Sequence, residues 1–535
     1  MLRSFFLVNR RDGQKLATTT EMEPSTPRPS DEYAQVVWAA HILSYLNPYT
    51  TIAGASLPDA PQDAESGPSG GNSDSDSDDD LDNESDTADT TDHTATFLGA
   101  YDKPIREKFL NCIAELLSHT KGGKHVTATA LREREDCVEV DIARNSLFEA
   151  ADDGYLASLS SFLRRYGTAR PPLKGISSAD IFSEPDGATD HPNDCCFYPL
   201  LEATATYNEK RLDVWVQDLA KLLGPDINHT PPVATPLGPE TSNLGCSCCK
   251  HVSIPILEAV KRLVGEIRAA SKKRKTNTLS VIQLAAVVVQ SLDTAVELKR
   301  IAPSVNISKA LRLFRLIARP LVNLRTLARI AGLLPAFRKA IFIKVGTPGP
   351  TQLSRQQIPS LAKAWKRLDI TPGGDPPAAL LSKGASFKRD CSRSFPVHCE
   401  VQLLLRYEND ASLIPSLRYF GCSKKACLLC YQMLCLSPLQ PRVRGQHGVC
   451  HPLWGVGPNH SEELRSRLRE LCDVLKERIT HHIRSQNRVA PVLVPQSTAA
   501  SDLGTVDMVE LRRQLARRQL VDKNNAEMRE RIQIL

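Results

Sequence analysis

The sequence has no long hydrophobic run. The apolar stretch Phe5–Val8 is shorter than the ~7–15 residues of a signal-peptide core. The longest uncharged stretch with strong apolar content, Thr276–Leu292, is interrupted by Thr, Asn, Ser and Gln and falls short of the ~18 residues a membrane span needs. Cysteine is too sparse for a disulfide scaffold, 15 in 535 residues, and it is clustered instead of evenly spaced. Aromatic residues make up only 5%. These absences lead us to expect a soluble, intracellular protein with no membrane partner, kept in a reducing compartment. Its grouped cysteines then read as metal thiolates sooner than bridges.

Basic residues are missing altogether from Asp59 to Asp92, where 13 Asp and Glu stand without one Lys or Arg. The whole chain, with 67 Lys+Arg and 61 Asp+Glu, is only +6. Without the thirteen acids of that tract the remainder is +19, and residues 253–345 alone hold 18 Lys/Arg against 4 Asp/Glu. A composition of 41% hydrophobic and 24% charged residues excludes wholesale disorder. The tract itself, with its SDSDSDDD repeat, cannot bury enough apolar surface to offset chain entropy.

The expected organisation follows from these shifts. Residues 1–57 form an N-terminal segment with one docking helix (Val36, Val37, Trp38, Ile42, Leu43), and 58–95 a disordered acidic linker. Residues 97–145 supply a helix with an apolar stripe (Ile105, Phe109, Leu110, Ile113, Leu116, Leu117). After it comes a β-hairpin over 126–144 with one buried face and a break at Glu133–Asp136. Residues 146–385 read as a helical, basic insertion, with helices near 147–165, 201–223, 254–301 and 306–345. Residues 386–486 carry the cysteine motif, and 487–535 a tail with an amphipathic helix.

Three pieces of the 386–486 stretch concentrate chemistry: FPVHCEVQLLLRYE, YFGCSKKACLLC and RGQHGVCHPLW. His398 and Glu400 open a helix announced by Pro396. A short strand, Leu417–Gly421, leads to Cys427 and Cys430 in the first turn of another helix, where the helix dipole stabilises thiolates. One imidazole and two thiolates make three ligands and leave a tetrahedral zinc with an open position for water. Glu400, outside the ligand set, is placed to move a proton from that water to a leaving amine.

His398-Cys399-Glu400 followed by Cys427–Cys430 resembles the zinc-dependent cytidine deaminase-like superfamily. With Gly421-Cys422-Ser423-Lys424 and Gln446-His447-Gly448, the chain looks most like a predicted nucleic-acid deaminase branch widespread in fungi. The resemblance implies an α/β fold, a three-layer α/β/α domain interrupted here by the helical insertion. It also implies Zn2+ held by His398, Cys427 and Cys430, with Glu400 catalytic. Asn145, after the second hairpin strand, resembles the superfamily's substrate-contacting Asn, and His447 and Trp454 are further candidates for the substrate pocket. Ala426 stands where the superfamily usually has Pro before the first Cys, which removes a pre-set helical φ but leaves the ligands.

The expected function is hydrolytic deamination of an amino-substituted nucleobase, in nucleic acid or as a free nucleoside or nucleotide. The competing class is a non-catalytic, zinc-stabilised interaction protein that binds a partner or nucleic acid through the insertion. Three other readings of the motif stay open. They are a buried Cys pair beside an unrelated His, a closed zinc site completed by Cys399, Cys422 or Cys435, and an iron–sulfur spacing from Cys422. Cys246-Ser247-Cys248-Cys249-Lys250-His251 lacks the paired spacing of a zinc site and reads as a cysteine-rich loop. Lys272–Lys275 reads as an import signal or phosphate contact. Arg312, Arg315, Arg319, Arg325 and Arg329 recur at helical spacing, either as a ladder for single-stranded nucleic acid or as solvated helix faces.

Overall fold

The computed structural model describes residues 29–46, 93–168, 194–223, 256–273, 278–290, 294–301, 304–371, 374–458 and 460–485. The acidic tract to Asp92, the Cys246–His251 cluster, Arg274 and Lys275, and the 487–535 tail lie outside the described residues.

In chain order the elements begin with α1 (Asp31–Leu46), α2 (His93–Leu117), β1 (Thr127–Glu133) and β2 (Val138–Arg144). A helical series follows: α3 (Ala150–Thr168), α4 (Asp194–Tyr207), α5 (Glu209–Leu223), α6 (Ile256–Lys273), α7 (Thr278–Gln290), α8 (Thr294–Ile301) and α9 (Ile307–Leu333). Next come β3 (Ala340–Lys344), β4 (Thr351–Gln352), α10 (Leu361–Leu368), α11 (Ala378–Leu381), α12 (Gly384–Cys391) and β5 (Ser394–Phe395). The last are α13 (Cys399–Asn409), β6 (Tyr419–Cys422), α14 (Leu428–Cys435), β7 (Arg442–Val443) and α15 (Glu462–Ser485). The protein is mixed α/β and mostly helical, and among the described residues no helix is long and apolar enough to cross a membrane.

One sheet organises the rest, in the order β3-β2-β1-β6-β7. β1 and β2 pair antiparallel from Thr127 opposite Arg144 to Glu133 opposite Val138, so the hairpin and its charged break lie where the alternation puts them. The expectation of a single buried face is corrected. Leu131, Val138, Val140 and Ile142 join one apolar cluster, while Ala128, Ala130 and Ala143 join another on the opposite side. The alternating partners on that opposite side are small alanines, and small residues are what a closely packed helix layer demands.

α2 packs on β1 and β6 on the first side, with α3–α9 extending that cluster. On the second side α13 lies on β1 and β2, with α14, α15, α1 and α10–α12 beyond it. Gly421 shows how close the first layer comes. A Cβ there would stand 2.5 Å from the Leu110 backbone, and the Thr129 hydroxyl donates to the Leu110 carbonyl at 2.9 Å.

The stretch expected to be helical through residue 345 ends instead in β3, which runs parallel to β2 from Val138 opposite Ala340 to Ile142 opposite Lys344. Five residues, Ala-Ile-Phe-Ile-Lys, are too short for their pattern to separate strand from helix. The free edge of β2 decides it. Arg319, expected either on a ladder for nucleic acid or on a solvated helix face, is 3% exposed and pairs with Glu115 of α2 (Nε to Oε2, 3.3 Å). Arg444 meets the other Glu115 oxygen, and Asn323 Nδ2 donates to Oε2 at 2.9 Å. This cluster ties α9 to α2 and to the end of β7.

α1 is the expected docking helix, and it is buried all round its circumference between α15, α12 and α10. Its Tyr33 hydroxyl donates to the Trp454 carbonyl at 2.9 Å, and its Trp38 indole N–H to the Gln357 carbonyl at 3.0 Å.

Candidate metal centre

His398 is the N-cap of α13, and Cys427 the N-cap of α14. The two helices are neighbours on the second side of the sheet, so two helix N-termini converge. His398 Nδ1 is 3.7 Å from Cys427 Sγ and 3.4 Å from Cys430 Sγ, and one ligand atom of each residue lies within 4.8 Å of the others. The Cys430 N–H donates to Cys427 Sγ at 3.4 Å. Both cysteines are buried.

The charges show what such a cluster wants. Burial opposes a Cys427 thiolate, but Cys430, the adjacent His398 and the helix N–H outweigh it and hold this thiol well below its usual value. Burial likewise opposes an imidazolium at His398. Cys427 and Glu400 together with a bond to the Leu453 backbone turn the balance upward. Cys430 is pushed up by burial and by Cys427. A thiolate at Cys427 and an imidazolium at His398 thus favour each other at a point where two sulfurs and a ring nitrogen converge. A cation there takes the proton's place and meets the His-Cys-Cys donor set that suits zinc.

Glu400, in the first turn of α13, is 4% exposed; burial raises its carboxyl toward neutrality, and the His398 charge only partly offsets this. The Cys399 thiol donates to its Oε2 at 3.4 Å.

The start of α13 is held from outside. Its N-cap side chain makes no capping bond. Asn145, at the end of β2, supplies one: its Oδ1 accepts from the Cys399 N–H at 2.7 Å and its Nδ2 donates to the Gly123 carbonyl at 2.9 Å. Gln402 Nε2 donates to the carbonyls of Arg144 (2.7 Å) and Val397 (2.8 Å). Gly455 bridges Val397, and a Cβ there would fall 2.4 Å from the Phe395 carbonyl oxygen. That approach carries Leu453 to His398. Nothing in the sequence signals the Leu453 bond or the capping by Asn145.

The α14 N-terminus is flanked by residues 445–449. Ala426 N–H donates to Gly445 (2.9 Å), and Leu428 N–H to Val449 (3.1 Å). His447 lies on this segment, 9% exposed, and its Nδ1 accepts from the Val449 N–H at 3.1 Å; burial brings it down to about 4. His451, which sequence reasoning passed over, places its ring 5.3 Å from that of His447. Trp454 is 1% exposed and sits in the second core, its indole N–H without a partner among the described residues. Lys424 reaches the Gly122 carbonyl at 2.6 Å, and burial with Arg211 nearby lowers it to about 8.

The structure thus brings His398, Cys427 and Cys430 together with Glu400 beside them, and links Asn145 to their helix. No curated protein and no solved structure matches the chain. A family model described as OTT_1508_deam:-like deaminase matches residues 397–459, so the segment that holds His398, Glu400, Cys427, Cys430, His447 and Trp454 is similar to a deaminase-like family.

Proposed function

We propose that the chain is a zinc-dependent hydrolytic deaminase of an amino-substituted nucleobase. The observation that carries this reading is the convergence of His398, Cys427 and Cys430 within 4.8 Å beside a buried carboxyl of raised affinity for protons. His398, Cys427 and Cys430 would hold the metal. Zinc, when bound, supplies the Lewis acidity that makes water a nucleophile near neutral pH. Glu400 takes the proton at a carboxylate oxygen and delivers it to the departing amine, and its raised pKa lets it hold that proton between the two events. Asn145 keeps α13, and with it Glu400 and His398, against the end of β2. The sheet order and the helices on both faces support reading the fold as a three-layer α/β/α deaminase domain.

The substrate is a nucleobase in single-stranded nucleic acid or in a free nucleoside or nucleotide. Arg312, Arg315, Arg325 and Arg329 remain half-buried along α9, outside the Glu115 cluster, and are the residues of the helical body to test for strand contact. The test is ammonia release from single-stranded DNA, RNA and free nucleosides by metal-loaded protein, with Glu400→Gln as control. The variant should keep its metal and lose the activity. If the wild type releases no ammonia from any of these substrates, or if Glu400→Gln stays active, the reading fails.

A further inference from the structure

A second group of metal-ligating side chains stands apart from the first. The connection between α2 and β1 carries His119 and His125, whose ring centroids are 4.2 Å apart, and Glu149 stands just before α3. One ligand atom from each lies within 4.8 Å of the others. We propose that His119, His125 and Glu149 bind a divalent transition-metal ion, separate from the one assigned to His398, Cys427 and Cys430.

Hydrogen bonding sets the tautomer of His119. The Tyr207 hydroxyl has a single proton, and the neighbouring Asp152 carboxylate accepts it. One lone pair of the same oxygen accepts from Arg144 at 3.0 Å. His119 Nδ1, 3.1 Å away, can then only donate to that oxygen. Its proton is on Nδ1, which leaves the Nε2 lone pair for a ligand, the arrangement by which metal-binding imidazoles are oriented. His125 adds an independent sign. It is 4% exposed, and its Nδ1 is buried with no hydrogen-bond partner among the described residues. A buried ring nitrogen left unsatisfied is a cost the fold has a reason to bear if something binds there.

The surrounding charge permits a cation. Arg144, whose charge acts on both imidazoles, is neutralised by Asp152 at 2.8 Å, and Glu149 contributes a carboxylate against the Lys124 charge beside His125. Burial keeps both imidazoles on the neutral side, with lone pairs available near neutral pH. Two imidazoles and a carboxylate suit zinc, cobalt or ferrous iron and do not suit calcium or magnesium, which take oxygen ligands. A cation there ties the α2–β1 connection to the start of α3. Gly123 in that connection also accepts from Asn145, so the ion would brace the residue that caps α13.

Cobalt(II) separates the two sites. Thiolate ligation gives an intense near-ultraviolet sulfur-to-cobalt band, whereas a site of nitrogen and oxygen ligands gives only weak visible bands. Metal-stripped full-length protein titrated with Co2+ by calorimetry and absorption should show one equivalent without the thiolate band. Glu149→Gln, at an exposed position, should weaken that equivalent roughly 10–100-fold and leave the thiolate band unchanged. His125→Ala should abolish it. Cys430→Ser should do the reverse, weakening the thiolate band and keeping the other equivalent. Equivalents bound at Cys246–Cys249 would carry the thiolate band and survive the His125 and Glu149 changes. The proposal is overturned if Glu149→Gln and His125→Ala both bind Co2+ with wild-type stoichiometry and affinity. If His125→Ala does not fold, as judged by circular dichroism, wild-type binding by Glu149→Gln alone overturns it.

Discussion

Replacing Glu115 by Gln should destabilise the protein by an amount that fades as the solution is acidified. Glu115 is 5% exposed and carries the charge that Arg319 and Arg444 share, and Asn323 donates to it. Burial alone would raise its carboxyl, yet the two guanidiniums and Asn323 bring it down to about 2. Against ~4.3 for a free Glu, and with ~1.4 kcal/mol per pKa unit, the ionised carboxylate contributes ~3 kcal/mol. The folded value is the lower one, so the unfolded chain binds more protons between the two. The contribution is complete above ~4.3 and is lost as pH falls through about 2. Gln keeps the shape and leaves the arginines without their counter-charge. Arg211 is a third guanidinium in the group, bonded to the Glu115 carbonyl at 3.0 Å. Breaking a buried pair from one side costs ~3–5 kcal/mol. Urea unfolding at a series of pH values should show that gap near neutrality and its closure toward the acid end. A gap under ~0.5 kcal/mol at neutral pH, or one that stays constant on acidification, would refute the reasoning.

Three further outcomes are expected. His41 of α1 is 2% exposed, its Nε2 has no partner among the described residues, and burial lowers it to about 4. The unfolded histidine titrates at ~6.5, so the unfolded state binds more protons, and ~3 kcal/mol of stability is lost between there and about 4; His41→Leu should flatten that part of the pH–stability curve. Asn145→Ala should cost ~1 kcal/mol in urea unfolding, because the Cys399 N–H loses its only cap from outside the helix. Chelation should lower the melting temperature of the wild type more than that of Cys430→Ala, and zinc should restore the wild type by the larger amount.

Much of the site can be read in the chain because its parts are local. Pro396 before His398, and two cysteines three apart before an apolar helix, fix the N-termini that carry the ligands, and both helices begin where expected. The hairpin is equally local, set by alternation on either side of a charged break. What stayed hidden depends on partners distant in sequence. β3 is a strand because β2 offers it an edge. Arg319 is buried because Glu115, on another helix, meets it, whereas spacing alone placed it on a cationic face. Asn145 was legible as a residue of interest at the end of a strand, but its bond to the Cys399 N–H spans the whole helical body. His119 and His125 form a group only because the fold brings Tyr207 and Glu149 beside them.

The parallel pairing of β3 with β2 constrains how this molecule can be taken apart. β2 ends at Arg144, and β3 starts at Ala340 opposite Val138, at the far end of the same strand. Everything between must therefore travel back along the sheet, so the helical body is a crossover connection, grown very large, whose two ends do not meet. Excising it and joining the cut ends would require a linker that spans the six rises from Arg144 back to the level of Val138, about 20 Å, or the surrender of β3 itself. The second choice would leave β2 as a bare edge open to pairing with other chains. A minimal metal-binding fragment is therefore best made by shortening the crossover from within, with β3 and a returning helix retained.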